Sequence, residues 1–414
     1  MNIKINIKKY LLIFSFFVIM PCIGGIKGSI KAANENIPKF QREYNNLSKN
    51  SEVINSQSEP NLLTEWNTQY KTGKKKVKYF PVRVQIQNSV EVMPFLNYVV
   101  GATAAEYGHG MFHREALKAG AVCIASYAIK KCGLNGTFIA DNNVFQSFMT
   151  IEECIKKFGK DKLDYLVKIV SSVIEKIPTI NGMPLECLYH TISSGRTESN
   201  ENVWKSAPIA YLASKFSPVE TFNEAKQQKI LQKYKDIKDP KSKLKYGNVE
   251  VFVKLFNENY KKIVKVKIED AFNKIKGYVQ KEKEKNIQIA DPTLPTNSKK
   301  IEEYIKITKL FKNSNNPEQF LIFGVPISSF ILKNLFNLRS HCIMPKHIEN
   351  DEIVLEVKGW GHCVGLDQYG SNIMALDGLN YRKIINNFYK PENTNIKYIN
   401  IKDIDPKYIF KNPV

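Results

Sequence analysis

Acidic side chains are in short supply. Against 61 Lys and Arg the chain sets 40 Asp and Glu, a formal net charge of +21 over 414 residues. Such an excess leaves the fold open and implies polyanionic surroundings: nucleic acid, anionic lipid or the anionic polymers of a bacterial wall. A disulfide framework is missing as well. Of seven cysteines, Cys123, Cys132, Cys154, Cys187, Cys342 and Cys363 follow the N-terminal apolar segment at wide, irregular intervals. That pattern excludes a small disulfide-stapled scaffold and reads as free, buried thiols. Metal signatures are absent in the same sense. His109-x-x-x-His113 lacks the Glu of a metalloprotease helix, and Cys187-x-x-His190 lacks the second ligand pair of a zinc site. No metal and no cofactor is expected. No serine stands on a sharp Gly-flanked elbow, which speaks against a Ser/His hydrolase, and no internal repeat is visible.

What is present begins at the N-terminus. Lys4, Lys8 and Lys9 precede the apolar run Leu11 to Met20, which continues loosely to Ile26. This is the basic and then apolar pattern of an export signal. Ile30 and Lys31 sit where small residues would favour cleavage near Ala32-Ala33. A cleaved signal and a retained anchor over residues 10–26 therefore both stand. Cys22 follows Met20-Pro21 rather than the small residues of a lipoprotein box. Export places the chain outside the cytoplasm and removes nucleic acid from the partner classes.

Residues 33–78 are polar, end in a lysine run and read as a linker. From Tyr79 the texture becomes globular. The 43% hydrophobic and 11% aromatic content supports a sizeable core. Phe80 to Gln87 alternates as a half-buried strand does. A helix-like stretch carries Ala104, Ala105 and Glu106, and a second helix is expected over 115–130. Residues 161–178 have helical period, and Gly182 to Thr191 reads as a turn and then a strand. The Phe320 and Ile353 runs read as strands, and 378–389 as a helix. Residues 224–312 hold 23 lysines against 12 acids at helical spacings. They read as a basic, peripheral helical insertion, broken near Asp239-Pro240 and Asp291-Pro292. The fold class is therefore α+β: a mixed or antiparallel sheet with packed helices, interrupted by that Lys-rich insertion.

Chemistry concentrates in three segments. Glu106 follows Thr-Ala-Ala in an apolar run, where burial would raise its pKa toward that of a general acid. The string Tyr189-His-Thr-Ile-Ser-Ser-Gly-Arg-Thr-Glu198 supplies donors and acceptors fit to line a sugar groove, or to cap one another in a turn. Gly359-Trp360-Gly361-His362 permits close backbone approach and offers an indole for a pyranose face, or for the core.

Four blocks resemble the SpoIID/LytB family. They are Val90-Glu-Val-Met-Pro-Phe-Leu-Asn-Tyr-Val-Val-Gly-Ala-Thr-Ala-Ala-Glu106 with Arg114-Glu-Ala-Leu-Lys-Ala-Gly-Ala-Val122; Asp141-Asn-Asn-Val-Phe-Gln146; Tyr189 to Glu198 with Val203-Trp204; and Gly359-Trp-Gly-His-Cys-Val-Gly-Leu-Asp-Gln-Tyr-Gly370. The resemblance implies a family domain over 79–223 and 313–395, split by 224–312 and followed by a tail at 396–414. It implies that Glu106 is catalytic in a lytic transglycosylase. It also implies that Gln146, His190, Ser193, Ser194, Arg196, Glu198, Trp360, His362 and Gln368 bind peptidoglycan glycan strands, with an amidase and anionic wall polymers as further partners. Glu115 and Glu198 are the other acids available as a second carboxylate, which a hydrolase would need. Departures are visible: Gly120 for Gln, Ala125 for Arg, Ser194 for Gly, Cys363 for Gly and Asp367 for Ser. A non-catalytic enhancer of a partner amidase is the alternative these departures leave standing, and a basic polymer binder acting through 224–312 is a third.

The export pattern makes one direct prediction. Protease added to intact protoplasts should digest the globular part of the chain, as immunoblotting would show, and full protection would sink the exported assignment.

Overall fold

The computed structural model describes residues 81–108, 110–141, 145–296 and 298–409. The export segment, the linker and His109 lie outside these residues. No helix among the described residues is long and apolar enough to cross a membrane. The chain divides into two compact units. Among the described residues, one is built from 81–108 with 132–167 and 406–409, the other from 110–131 and 168–405.

In the first unit the strands Pro81–Ile86 and Ser89–Pro94 pair antiparallel, and Thr137–Ile139 joins the first of them in parallel. Alternation buries Val82 and Val84 completely, together with Phe138. Pro94 then fixes the entry to the helix Phe95–Tyr107. This helix is buried nearly all round, so its sequence is apolar without a polar stripe. The helix Ile151–Phe158 starts on a capping box in which Thr150 and Glu153 satisfy each other's backbone N–H groups.

The second unit is α+β. Its helix Arg114–Cys132 buries an unbroken series from Ala119 to Ser126. Ala125, where the family resemblance leads one to expect Arg, is fully enclosed. The helical period over 161–178 ends early. The helix Lys160–Ser171 gives way to the strand Lys176–Ile180, because Pro178 cannot sit in a helix interior. That strand turns at Asn181 and Gly182, both at positive φ, into Met183–Pro184 and pairs on its other side with Lys397–Asn400.

Segment 224–312 carries the expected helices, Glu224–Tyr234, Pro240–Tyr246, Val249–Tyr260 and Ile268–Glu284. It also carries strands that the lysine-rich composition concealed. Lys261–Lys267 pairs antiparallel with Glu352–Lys358, and Ile305–Leu310 with Pro317–Ile322. The segment is thus woven into sheets whose other strands come from beyond residue 312. Ala271, Ile275 and Val279, four residues apart on one helix face, pack in a core with Phe320, Ile343, Ile353, Leu355 and Val357. Strands Cys342–Glu349 and Glu352–Lys358 complete this sheet. Lysines at 261, 262, 265 and 267 line the edge strand, a pattern that discourages pairing with another chain.

Ile275→Ala removes a fully buried side chain from this shared core. It should cost about 2–5 kcal/mol of unfolding free energy, measured by urea denaturation. A loss near zero would mean that the 268–357 core is not assembled as described.

Candidate functional site

Glu106 lies near the C-terminal end of the helix Phe95–Tyr107 and is half-buried. Its Oε1 accepts the Ser147 backbone N–H at 3.2 Å. The neighbouring Gln146 is buried, and its Oε1 accepts the Tyr98 hydroxyl at 2.7 Å. Tyr98 stands about two turns before Glu106 on the same helix, so the helix and the 146–147 segment are tied at two points. Gln146 is thus held inside the first unit and precedes Ser147 in the chain. Gly101 makes the approach possible, since a Cβ there would come within 2.2 Å of the Met149 carbonyl oxygen.

The remaining candidates lie in the second unit, where two segments distant in sequence are stitched together. Tyr189–His190 and Leu366–Asp367 pair in parallel. Ile192 and Trp360 exchange backbone hydrogen bonds at 3.2 and 2.6 Å, and the Glu198 N–H reaches the Cys363 carbonyl at 2.7 Å. Gly359 and Gly365 permit this contact: both have positive φ, and a Cβ would meet the Ile192 carbonyl oxygen at 2.8 Å or that of Leu188 at 2.1 Å. Cys363 adopts φ 64° without being glycine. A left-handed residue with a side chain is strained by about 1–2 kcal/mol, and this departure from the family pattern is borne at a fully enclosed position.

Two buried carboxylates organise the loop between. Asp367 Oδ2 accepts from the Ser193 N–H at 2.9 Å, the Ser193 hydroxyl at 2.7 Å and the Ser217 hydroxyl at 2.8 Å. Its Oδ1 caps the helix Gln368–Leu376 through the Gly370 N–H at 2.8 Å. Burial nevertheless raises the Asp367 pKa above the ordinary carboxylate value, against the pull of these four donors. A serine here could cap the helix but could not collect the other three bonds.

Glu198 is the second. Its Oε1 accepts from the Ser314 hydroxyl at 2.6 Å and the Asn316 amide at 2.5 Å and lies 3.3 Å from His341 Nε2, while Oε2 accepts from Asn202 at 2.9 Å. Burial alone would raise its pKa. The hydrogen bond and charge of His341, with Ser314 and Asn202, more than offset that, and the net direction is downward. Asn316 also accepts the Ser194 hydroxyl at 2.7 Å.

Expected as groove ligands, Ser193, Ser194 and Glu198 are therefore turned inward, because the buried carboxylates and Asn316 take up their hydrogen bonds. Gln368 is likewise buried as the first residue of its helix. Arg196 is exposed, with its Nε donating to the Asn313 carbonyl at 3.1 Å. Trp360 and His362 are half-buried. His362 packs 5.3 Å from the Trp204 ring and 5.8 Å from that of His190. His190 is buried, with Nδ1 at 3.2 Å from the Val364 carbonyl. Burial holds both histidines near pKa 3, His362 further depressed by its neighbour His190. Both rings are neutral at physiological pH.

Trp204 belongs to the third family-like block, whereas Asn316 and His341 carry no mark in the sequence. Asn316 and His341 matter through a fold contact that no local motif announces. Among the described residues no group of three or more His, Cys, Asp or Glu side chains is gathered to hold a metal ion. Of the described cysteines, Cys132 is half-buried and the others are buried.

No family model matches the chain. Relatives are found among curated proteins. Stage II sporulation protein D of Bacillus subtilis is 28% identical over 333 residues, 77% of this chain and 80% of that protein. The protein of the same name from Bacillus amyloliquefaciens is 26% identical over 328 residues, covering 76% and 79%. An amidase enhancer of Bacillus subtilis is 25% identical over 301 residues, covering 69% of this chain and 38% of the enhancer.

The histidines set an acid limit on stability. His190 and His362 near 3, and His113 near 4, lie below the ordinary 6.5. Between those values the unfolded chain binds more protons than the native one, so stability is complete above about pH 6.5 and falls as pH drops below it. Each fully neutral histidine contributes up to about 1.4 kcal/mol per pH unit. Thermal melts from pH 7.5 to 4.5 should show a falling Tm, and His190→Gln should flatten the slope; an unchanged slope would refute the buried neutral ring.

Proposed function

The chain is a relative of the stage II sporulation protein D proteins, the SpoIID/LytB family, and from that premise we propose that it is a lytic transglycosylase of the cell wall. Its substrate is the glycan strand of peptidoglycan, cut at the MurNAc-GlcNAc bond after removal of stem peptides, in a sporulation-related remodelling of the wall. The observation that carries this reading is the setting of Glu106: a half-buried carboxylate on a rigid, buried helix, with one oxygen held by the Ser147 N–H. A carboxyl fixed in this way can give its proton to the glycosidic oxygen as the bond to the muramyl C1 breaks. The resulting carboxylate then takes the proton of the muramyl 6-hydroxyl as that oxygen closes on C1. The product is a 1,6-anhydro ring, no water is consumed, and the same residue ends as it began. One carboxylate suffices for this sequence, whereas hydrolysis calls on two.

Trp360, His362 and Arg196 are the partly exposed groups suited to hold sugar. Ser193, Ser194, Glu198, Gln146 and Gln368 support the loops that present them. Export brings the chain to the outer face of the cytoplasmic membrane or the wall, and its excess of 21 positive charges suits anionic wall polymers. A second reading, a wall-bound enhancer of a partner N-acetylmuramoyl-L-alanine amidase, is favoured by the amidase enhancer among the relatives and needs no carboxylate at 106.

Digestion of denuded glycan strands, followed by mass spectrometry, separates the two. The wild-type chain should release 1,6-anhydro ends, and Glu106→Gln should lower that release by at least about 10²-fold. Equal cutting by Glu106→Gln would overturn the mechanism. No release by either protein, with stimulation of an added amidase, would favour the enhancer.

A further inference from the structure

Arg339 precedes the strand Cys342–Glu349 and is half-buried beside the Gly359–Val364 loop. Its carbonyl accepts the Gly361 N–H at 2.9 Å. Its guanidinium carbon lies 5.9 Å from the centre of the Trp360 ring, within reach of a cation–π contact. Nε and Nη2 are both shielded from solvent and lack a hydrogen-bond partner among the described residues. These two nitrogens form one edge of the guanidinium, from which two N–H bonds point in parallel. Leaving even a neutral buried donor unmade costs about 1–3 kcal/mol, and a charged one more.

A second cation stands close by. Lys333, half-buried in the helix Ser329–Leu335, has its pKa lowered by burial and contributes to the depression of His362 after burial and His190. Among the described residues neither Lys333 nor Arg339 makes a salt bridge. The surface around the loop therefore combines two half-buried indoles, Trp204 and Trp360, with two uncompensated cations.

A parallel pair of donors on a planar cation matches the two oxygens of a carboxylate and gives both charge and direction. We propose that Arg339 is a specificity-determining residue that binds the carboxylate of an acidic sugar through its Nε–Nη2 edge. Resting on the glycan reading above, that group is the lactyl carboxylate of muramic acid. It exists as a free anion only where no stem peptide is attached. An attached peptide converts it to an amide, which has no charge and offers one acceptor oxygen where the fork requires two. A site built around a buried polar group rejects a ligand that leaves it unpaired. Both nitrogens are shielded in the unbound chain, so this binding requires the side chains that cover them to move. Arg339 thus makes removal of the stem peptide a condition of binding.

The test is equilibrium binding by titration calorimetry, with Glu106→Gln in the full chain to prevent cutting. The probes are denuded glycan strands and the same strands after conversion of the lactyl carboxylate to its methyl amide. Salt at about 0.5 M screens the long-range attraction of the basic surface and leaves a buried fork in force. The free acid should bind at least about 10-fold tighter than the amide. Adding Arg339→Gln should abolish that preference while leaving amide affinity within about twofold, and Arg339→Lys should restore only part of it, since an ammonium cannot form the fork. Equal loss for both probes would assign Arg339 a merely structural role and overturn the proposal. Equal binding of both probes by the Arg339 protein would overturn it too, while leaving the glycan reading intact; should Arg339→Gln fail to fold, this ratio and Arg339→Lys decide. Absence of binding to either strand would reject the glycan reading and this inference together.

Discussion

The arrangement of the second unit depends on burying carboxylates with their donors. Asp367 and Glu198 have no exposed side-chain surface, and between them they accept hydrogen bonds from six other residues, with His341 alongside. Taking a carboxylate out of water is costly, and several well-aligned donors are needed to offset it. Each donor thereby fixes a segment: Ser193 and Ser217 on Asp367, Asn202, Ser314 and Asn316 on Glu198. The loop between His190 and Glu198 has little regular structure of its own. Its shape is set by where those oxygens must find partners, and so is the presentation of Trp360 and His362 opposite it.

The two carboxylates respond differently to burial, which shows how much the partner's charge matters. Asp367 has only neutral donors, and its pKa rises. Glu198 has neutral donors and a histidine at 3.3 Å, and its pKa falls. Hydrogen bonds from neutral groups satisfy lone pairs, but a nearby group able to carry positive charge does more to favour the ionised form.

Strong periodicity and turn chemistry made much of the fold legible. The helix expected over 115–130, the turn beginning at Gly182 and the strands near Phe320 and Ile353 were readable because local pattern and tertiary environment agree there. Segment 224–312 was only half readable. Lysines on the outward face of Lys261–Lys267 mimic the composition of a solvated helix, while Val264 and Val266 alone reveal the face that meets Ile353 and Leu355. Among the candidate residues, the sequence could nominate Glu106, Trp360 and His362 by type and neighbourhood. It could not say that Ser193, Ser194 and Glu198 face inward, because their partners Asn316, His341 and Asp367 lie more than a hundred residues away and belong to no common motif.

That separation has a consequence for how the protein comes into being. His190 meets the carbonyl of a residue 174 positions further on, and Ser193 meets Asp367 across the same distance. Closing so long a loop carries an entropic cost that must be met before the contact returns anything, so pairings of this kind form late in folding. The intervening chain, with its own core built from residues 271–357, can assemble first and shorten the effective loop. The surface that carries Trp360 and His362 is then among the last parts to take shape. A chain interrupted before residue 367 would lack the carboxylate that gathers Ser193 and Ser217, and would have a folded middle beside a loop still without form.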